Sequence, residues 1–261
     1  MAVAPFHDLR RSLRGAAGIA RSLRIYYGSR THRRRMMALY QRFFSPGDLV
    51  FDVGSHVGDR IAAFRALGAR VIAVEPQPAA FRWLKFRYGR DPKVTLLRAA
   101  VSDAPGELTL HLNLANPTIS TASSAFMSAA GDAPGWEGQN WDETVSVPAL
   151  TLDEVIAAHG VPAFVKIDIE GFELNALQGL SRPLPALSFE FTTIQRGVAL
   201  ACLDRLRALG DYRFNVAIGE SQRLEFDEAV DADAMAAYIA ELPQAANSGD
   251  IYAVLDRKAS A

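Results

Sequence analysis

Short apolar runs alternate along the chain with segments whose apolar residues recur every three or four positions. Leu49 to Val53 is apolar apart from Asp52, which suits a strand buried on both faces. Ile61, Ala62, Ala63, Phe64 and Leu67 follow with helical spacing. The alternation repeats. Arg70–Glu75 predicts a second strand, and Pro76 and Pro78 break it before a helix over Ala79–Tyr88. Lys93–Ala100 predicts a third strand, Ala163–Asp168 a fourth and Ala186–Phe191 a fifth. Tyr212–Ile218 and Asp250–Leu255 read as the last two, with a helix over Glu228–Leu242 between them. Thr151-Leu-Asp-Glu154 has the form of a capping box opening a helix from Leu152 to about His159, which Gly160 and Pro162 end. Strands alternating with helices predict an α/β protein with an open, mostly parallel sheet.

One stretch departs from this rhythm. After Pro105-Gly106, Glu107–Leu112 alternates as a strand, and Thr144–Val147 is its expected partner. Between them, residues 113–143 are rich in Asn, Ser, Thr, Ala and Gly. A loop of that length in a compact domain is functional or disordered. Its hydroxyls and amides, with Trp136 and Trp141, suit a polar, sugar-like acceptor.

Ahead of the first strand, Thr31–Phe44 predicts a helix, and Leu9, Leu13, Ala16, Ala17, Ala20 and Leu23 lie on one side of another. Charge is concentrated here. The whole chain of 261 residues carries −1, but residues 1–42 hold ten arginines and one acid, Asp8, leaving about −10 on the rest. A basic amphipathic helix lies on an anionic membrane surface or packs on the domain with its arginines in water. Gly15 and Gly18 weaken an isolated helix and favour the packed form; nucleic acid is not an expected partner. Residues 1–44 are thus read as a basic helical extension and 45–261 as one domain. A single cysteine, Cys202, excludes an internal disulfide, and five scattered histidines show no metal-ligand spacing. Without a run of transmembrane length or a signal-type segment, the expectation is a cytoplasmic protein, at most peripheral to the inner face of the membrane.

The candidate chemistry sits at strand ends, where an open α/β sheet binds ligands. Asp52, Gly54, Ser55, His56 and Gly58 form the turn after the first strand. A dinucleotide fingerprint requires a glycine where His56 stands, and Asp52 puts an anion where a diphosphate would lie. A carboxylate there suits a cationic nucleoside such as S-adenosylmethionine. Glu75, at the tip of the second strand and 21 residues after Gly54, can accept hydrogen bonds from both ribose hydroxyls. Val101 and Asp103 follow the third strand, and Asp103 either accepts from an adenine amino group or caps the turn. Lys166, Asp168, Glu170 and Glu173 crowd the end of the fourth strand, with Lys166 and Asp168 expected on one face. Glu170 and Glu173 are expected in the first helical turn, where the dipole favours acids.

With these residues in hand, the chain resembles the FkbM family of S-adenosylmethionine-dependent methyltransferases over roughly residues 44–255. The likeness rests on Phe51-Asp-Val-Gly-Ser-His-Val-Gly58, Val74-Glu-Pro-Gln-Pro78, Ala100-Val-Ser-Asp103 and Leu150-Thr-Leu-Asp153. It continues through Val165-Lys-Ile-Asp-Ile-Glu-Gly-Phe-Glu173 and Gly249-Asp-Ile-Tyr252. The resemblance implies a class I, Rossmann-like methyltransferase fold of seven strands, mostly parallel with the last antiparallel, helices on both faces. It also implies O-methylation, commonly of sugars or other hydroxylated metabolites. Asp52, Gly54 and Gly58 would line the methionine moiety, Glu75 the ribose, and Val101 to Asp103 the adenine side. Ser55-His56 stands where family members often carry Ala-Asn.

For the reaction, Asp168 or Glu170 is the expected group that polarises or deprotonates the acceptor hydroxyl, with Lys166 orienting the carboxylate. A second version has Asp168, Glu170 and Glu190 helping to hold magnesium against two acceptor oxygens. His56 is a weaker candidate base, or packs at the turn. The rival from another class is a non-catalytic, membrane- or nucleic-acid-associated module on the same scaffold. An idle site, however, has no physical need for Asp52 and Glu75 together.

Overall fold

The computed structural model describes residues 4–256, with side chains described from Arg14 onward. Leu9 and Leu13 of the proposed amphipathic face lie outside the described side chains. The chain runs α1 (Ala4–Tyr27), α2 (Arg30–Tyr40), β1 (Leu49–Val53), α3 (Asp59–Ala66), β2 (Arg70–Val74), α4 (Pro78–Tyr88), β3 (Val94–Leu97) and β4 (Ala100–Val101). It continues with β5 (Gly106–Leu112), α5 (Ser124–Gly131), β6 (Glu143–Leu150), α6 (Leu152–His159), β7 (Phe164–Ile167) and α7 (Glu173–Gln178). The last elements are β8 (Ala186–Thr192), α8 (Arg196–Leu209), β9 (Tyr212–Ile218), α9 (Ala232–Glu241) and β10 (Ser248–Leu255).

Seven strands form the main sheet in the order β3-β2-β1-β7-β8-β10-β9. The pairings of β3, β2, β1, β7 and β8 are parallel, and β10 runs antiparallel to both β8 and β9. This is the class I methyltransferase arrangement that the resemblance implies. The chain reverses its direction of winding between β1 and β7, so the crevice at their carboxyl ends is where such a sheet takes a ligand.

Each face of the sheet carries its own core. On one side Phe51, Val53, Val165, Ile167 and Phe189 pack against α6, α7, α8 and α9, with Cys202 buried among them. On the other, Val50, Phe164, Ala186 and Tyr252 meet α2, α3 and α4. Phe43 is stacked on both Phe164 and Tyr252, with centroids 5.1 and 5.3 Å away. The basic segment is therefore built into the core through α2. In α1, Ile19 and Ser22 are buried, and Arg21 donates to the Ala115 carbonyl. The described part of α1 is thus the packed form of the two alternatives.

Three expectations change. The run Lys93–Ala100 splits: β3 stays in the main sheet, while Ala100–Val101 turns away to pair with Ala149–Leu150. That small sheet, ordered β4-β6-β5, contains the expected antiparallel pair of β5 and β6. Residues 113–143 are organised by a 3-10 turn at Pro117–Ile119 and by α5, which Ser123 caps. Trp136 and Trp141 pack edge-on against Phe126, so they build this segment's own core rather than an acceptor surface. Finally, α7 begins at Glu173, and Glu170 lies before it in a loop at φ +56°. No described helix is long and apolar enough to cross a membrane.

Candidate active site

A cavity opens at the carboxyl ends of β1, β2 and β7, where an open α/β sheet takes its ligands. Asp52, Gly54, Ser55, His56, Glu75, Val101, Asp168 and Glu170 all line it. The sequence motifs therefore converge on one volume.

The turn after β1 is shaped by backbone contact. Gly54 sits at φ +85°, and a Cβ there would come within 1.7 Å of the Asp168 carbonyl oxygen. This glycine is required by the close approach of the β1 and β7 ends as well as by the turn. Gly58 is not among the lining residues. A Cβ on it would meet Leu84 and Tyr88 at 2.7 Å, so it seats α4 against the start of α3. The Ser55 hydroxyl donates to the Asp52 backbone carbonyl, 2.7 Å away.

Glu75 is fixed by two backbone N–H groups. His56 donates to one carboxylate oxygen and Gln77 to the other, each at 2.7 Å. The remaining lone pairs face the cavity, where a pair of ribose hydroxyls can donate to them. Burial, opposed by those two hydrogen bonds, pushes the carboxyl up to about 7. Asp52 is likewise raised to about 7, by burial and then by the charge of Asp59. Its Oδ2 atom is buried with no hydrogen-bond partner. An orphaned carboxylate oxygen inside a cavity fits the positively charged end of S-adenosylmethionine. The His56 ring has no partner on either nitrogen, and burial lowers its pKa to about 4. It meets the Tyr26 ring edge-on and is neutral at ordinary pH.

Across the cavity, Lys166 is fully buried beneath Asp168, with Nζ 3.1 Å from Asp168 Oδ2 and 2.6 Å from Asp250 Oδ1. Burial acts to raise the Asp168 carboxyl, but the ammonium of Lys166 and the guanidinium of Arg60 hold it below the ordinary range. Glu170 behaves in the opposite way. Burial, with the charges of Asp168 and Glu173, pushes it well above that range. Glu190 is raised for the same reasons, burial first and then Asp168 and Glu170. The loop carrying Glu170 is held from both sides. Thr121 Oγ1 donates to the Glu170 carbonyl at 2.6 Å, and Glu173 accepts from the Ile169 and Gly171 amides. Glu173 is therefore a first-turn structural acid, as its position suggested.

Lys166 and Asp103 do not line the cavity. Lys166 acts on it through Asp168. Asp103 is exposed and accepts from Ser102 Oγ at 2.8 Å, which lowers its pKa. Several lining residues escaped the sequence reading. Tyr26 reaches the cavity from α1, Thr118 and Ser120 come from the 113–143 segment, and Glu220 follows β9. Arg60 also lines it, paired with Asp59 and, at 3.2 Å, with Glu220. Asp59-Arg60 next to Gly58 offered a local signal, whereas Glu220 and Tyr26 had none. Asp250 belongs to the Gly249-Asp-Ile-Tyr252 motif, whose spacing gave no hint of its partner.

Comparison with known proteins follows the same lines. The sequence model described as the methyltransferase FkbM domain matches residues 52–242. A hexuronic acid methyltransferase, AglP of Haloferax volcanii, is 27% identical over 154 residues, which are 58% of this chain and 57% of that protein. Among solved structures, precorrin-6y C5,15-methyltransferase of Geobacter metallireducens aligns at TM-score 0.45 and 13% identity, over 86% of this chain and 87% of its own. An O-methyltransferase of Bacillus cereus in complex with SAH aligns at TM-score 0.42 and 12% identity, over 92% and 91% of the two chains.

Proposed function

The chain belongs to the FkbM methyltransferase family, and from that premise we propose that it transfers a methyl group to a hydroxyl of a sugar or glycan. The donor in this family is S-adenosylmethionine. The observation that carries the reading is an ionised carboxylate, Asp168 beside the buried Lys166, in the same cavity as Glu75. The polar lining from Thr118 and Ser120 suits a hydroxylated acceptor. The related Haloferax volcanii protein is described as acting on a hexuronic acid.

In this reading Asp52 and the turn through Gly54, Ser55 and His56 hold the methionine end, Glu75 the ribose, and Val101 the base. S-adenosylmethionine, when bound there, supplies a methyl group on a sulfonium that is open to in-line displacement. Asp168 accepts the hydrogen bond of the acceptor hydroxyl and aligns its oxygen. Asp168, held ionised, or Glu170 beside it takes the proton as the new O–C bond forms. Lys166 keeps Asp168 charged, and Asp250 keeps Lys166 in place.

The deciding experiment is calorimetric titration with S-adenosylhomocysteine, NADH serving as the control, followed by radiolabelled methyl transfer to a panel of neutral and uronic sugars. Micromolar binding of the homocysteine product alone, with label entering a sugar, is the expected result. A folded protein that ignores S-adenosylhomocysteine would end the cofactor assignment. Binding without label in any sugar would remove the sugar and leave the methyltransferase.

A further inference from the structure

The mouth of the cavity holds more negative charge than its own cations balance. Carboxylate oxygens of Asp168, Glu170 and Glu190 all lie within 4.8 Å of one another, carried on the β7 loop and on β8. The nearest ammonium, Lys166, is shared with a fourth carboxylate, Asp250, at the shorter of its two contacts. Arg60 is engaged by Asp59 and Glu220.

Two further observations point to a missing positive ligand. Glu170 is only 7% exposed, and none of the hydrogen bonds among the described residues reaches its carboxylate. Glu190 shares a side-chain hydrogen bond with Asp168, but its Oε2 is buried and has no hydrogen-bond partner. Buried acceptors without a donor are costly, and acids this close cannot all stay ionised without a cation or a proton among them.

We propose that Asp168, Glu170 and Glu190 bind one divalent cation of the magnesium or manganese type, against which two oxygens of the acceptor dock. Three carboxylate oxygens are the hard donor set such ions take, and three further positions of an octahedron remain for water and acceptor. The site deepens the methyltransferase reading and rests on it for the acceptor. It accounts for how a hydroxylated, even anionic, sugar enters a cavity lined by so many acids: the cation reverses the local charge and polarises the hydroxyl. It also settles the acidic loop before α7, where Glu170 is turned inward at φ +56° instead of joining the helix.

The test uses the full chain with Mn2+ alone, following the loss of the free-ion electron paramagnetic resonance signal. One Mn2+ per chain is expected, competed by Mg2+, with affinity reduced at least tenfold in both Glu190→Gln and Glu170→Gln. Thermal melting checks these variants independently. In metal-free buffer each is expected to melt at or above the parent temperature, because a crowded acid has gone, and Mn2+ is expected to raise only the parent's melting point. Absence of stoichiometric Mn2+ binding to a chain that still binds S-adenosylhomocysteine overturns the cation site and leaves the methyltransferase standing. Equal Mn2+ affinity in the variants overturns it too. Failure of S-adenosylhomocysteine binding, by contrast, strikes the parent reading.

Discussion

Asp168 is the residue whose removal separates the proposed chemistry from mere binding. Replacing it with Asn keeps the side chain's shape and abolishes its charge beside Lys166, whose second partner, Asp250, remains at 2.6 Å. Turnover is expected to fall about a hundredfold or more, as for a group that positions or deprotonates the nucleophile, while S-adenosylhomocysteine affinity changes only a few-fold. Steady-state kinetics with calorimetry on the same preparation check this, and near-normal turnover would remove Asp168 from the mechanism. Gly54 tests the architecture instead. A methyl group at Gly54 meets the Asp168 carbonyl at 1.7 Å and sits at φ +85°. Overpacking of this kind costs about 1–3 kcal/mol, with strain of about 1–2 kcal/mol from the left-handed backbone. Gly54→Ala is expected to melt well below the parent protein, and an unchanged melting curve contradicts the β1–β7 contact.

At the scale of elements, α1 is where a local pattern and a tertiary role diverge. Gly18 reads in the sequence as a helix weakener, yet a Cβ on it would lie 2.6 Å from both the Leu114 carbonyl and the Pro117 ring. The glycine lets α1 lie flat on the turn at Pro117–Ile119, which places Tyr26 at the cavity. Gly18→Val should lift α1 from that turn, raising amide exchange at Leu114–Ser120 and weakening S-adenosylhomocysteine binding several-fold. Protection equal to the parent's would show that α1 tolerates the added side chain. Elements defined by local signals were legible in advance. The β1 run, the capping box of α6 and the pattern of β9 gave their ranges directly, and Asp52, Glu75 and Asp168 met in one cavity as strand-end residues should. What could not be read depends on contacts between distant segments. The split of β3 from β4 is decided by β6, some 50 residues later. The inward turn of Glu170 is held by Thr121, and the second partner of Lys166 lies 84 residues away in β10.

For the whole molecule, the buried acids make stability and ligand binding depend on pH in a way that ordinary surface carboxylates do not. Asp52, Glu75 and Glu173 are each raised to about 7 in the folded chain, all chiefly by burial; in the unfolded chain they titrate near 4. Between those values the folded state holds more protons than the unfolded one. Stability must therefore fall as pH rises from about 4 through about 7, and then level off for these groups. The ligand-free protein is expected to melt lower at pH 8 than at pH 5.5, by on the order of 5 °C. The sign reverses for binding. Ribose hydroxyls and a cationic methionine end prefer ionised Glu75 and Asp52, so S-adenosylmethionine affinity is expected to rise with pH up to about 7 and flatten above it. The melting shift on adding the ligand grows over the same window. Glu75→Gln removes one of these titrations, and the rise in affinity becomes shallower in that variant. Scanning fluorimetry and calorimetry across pH 5.5–8 measure both effects. A melting temperature that climbs with pH would mean that these carboxylates are already ionised and paired in the ligand-free fold, and the cavity would lose its claim to be a site prepared for positive charge.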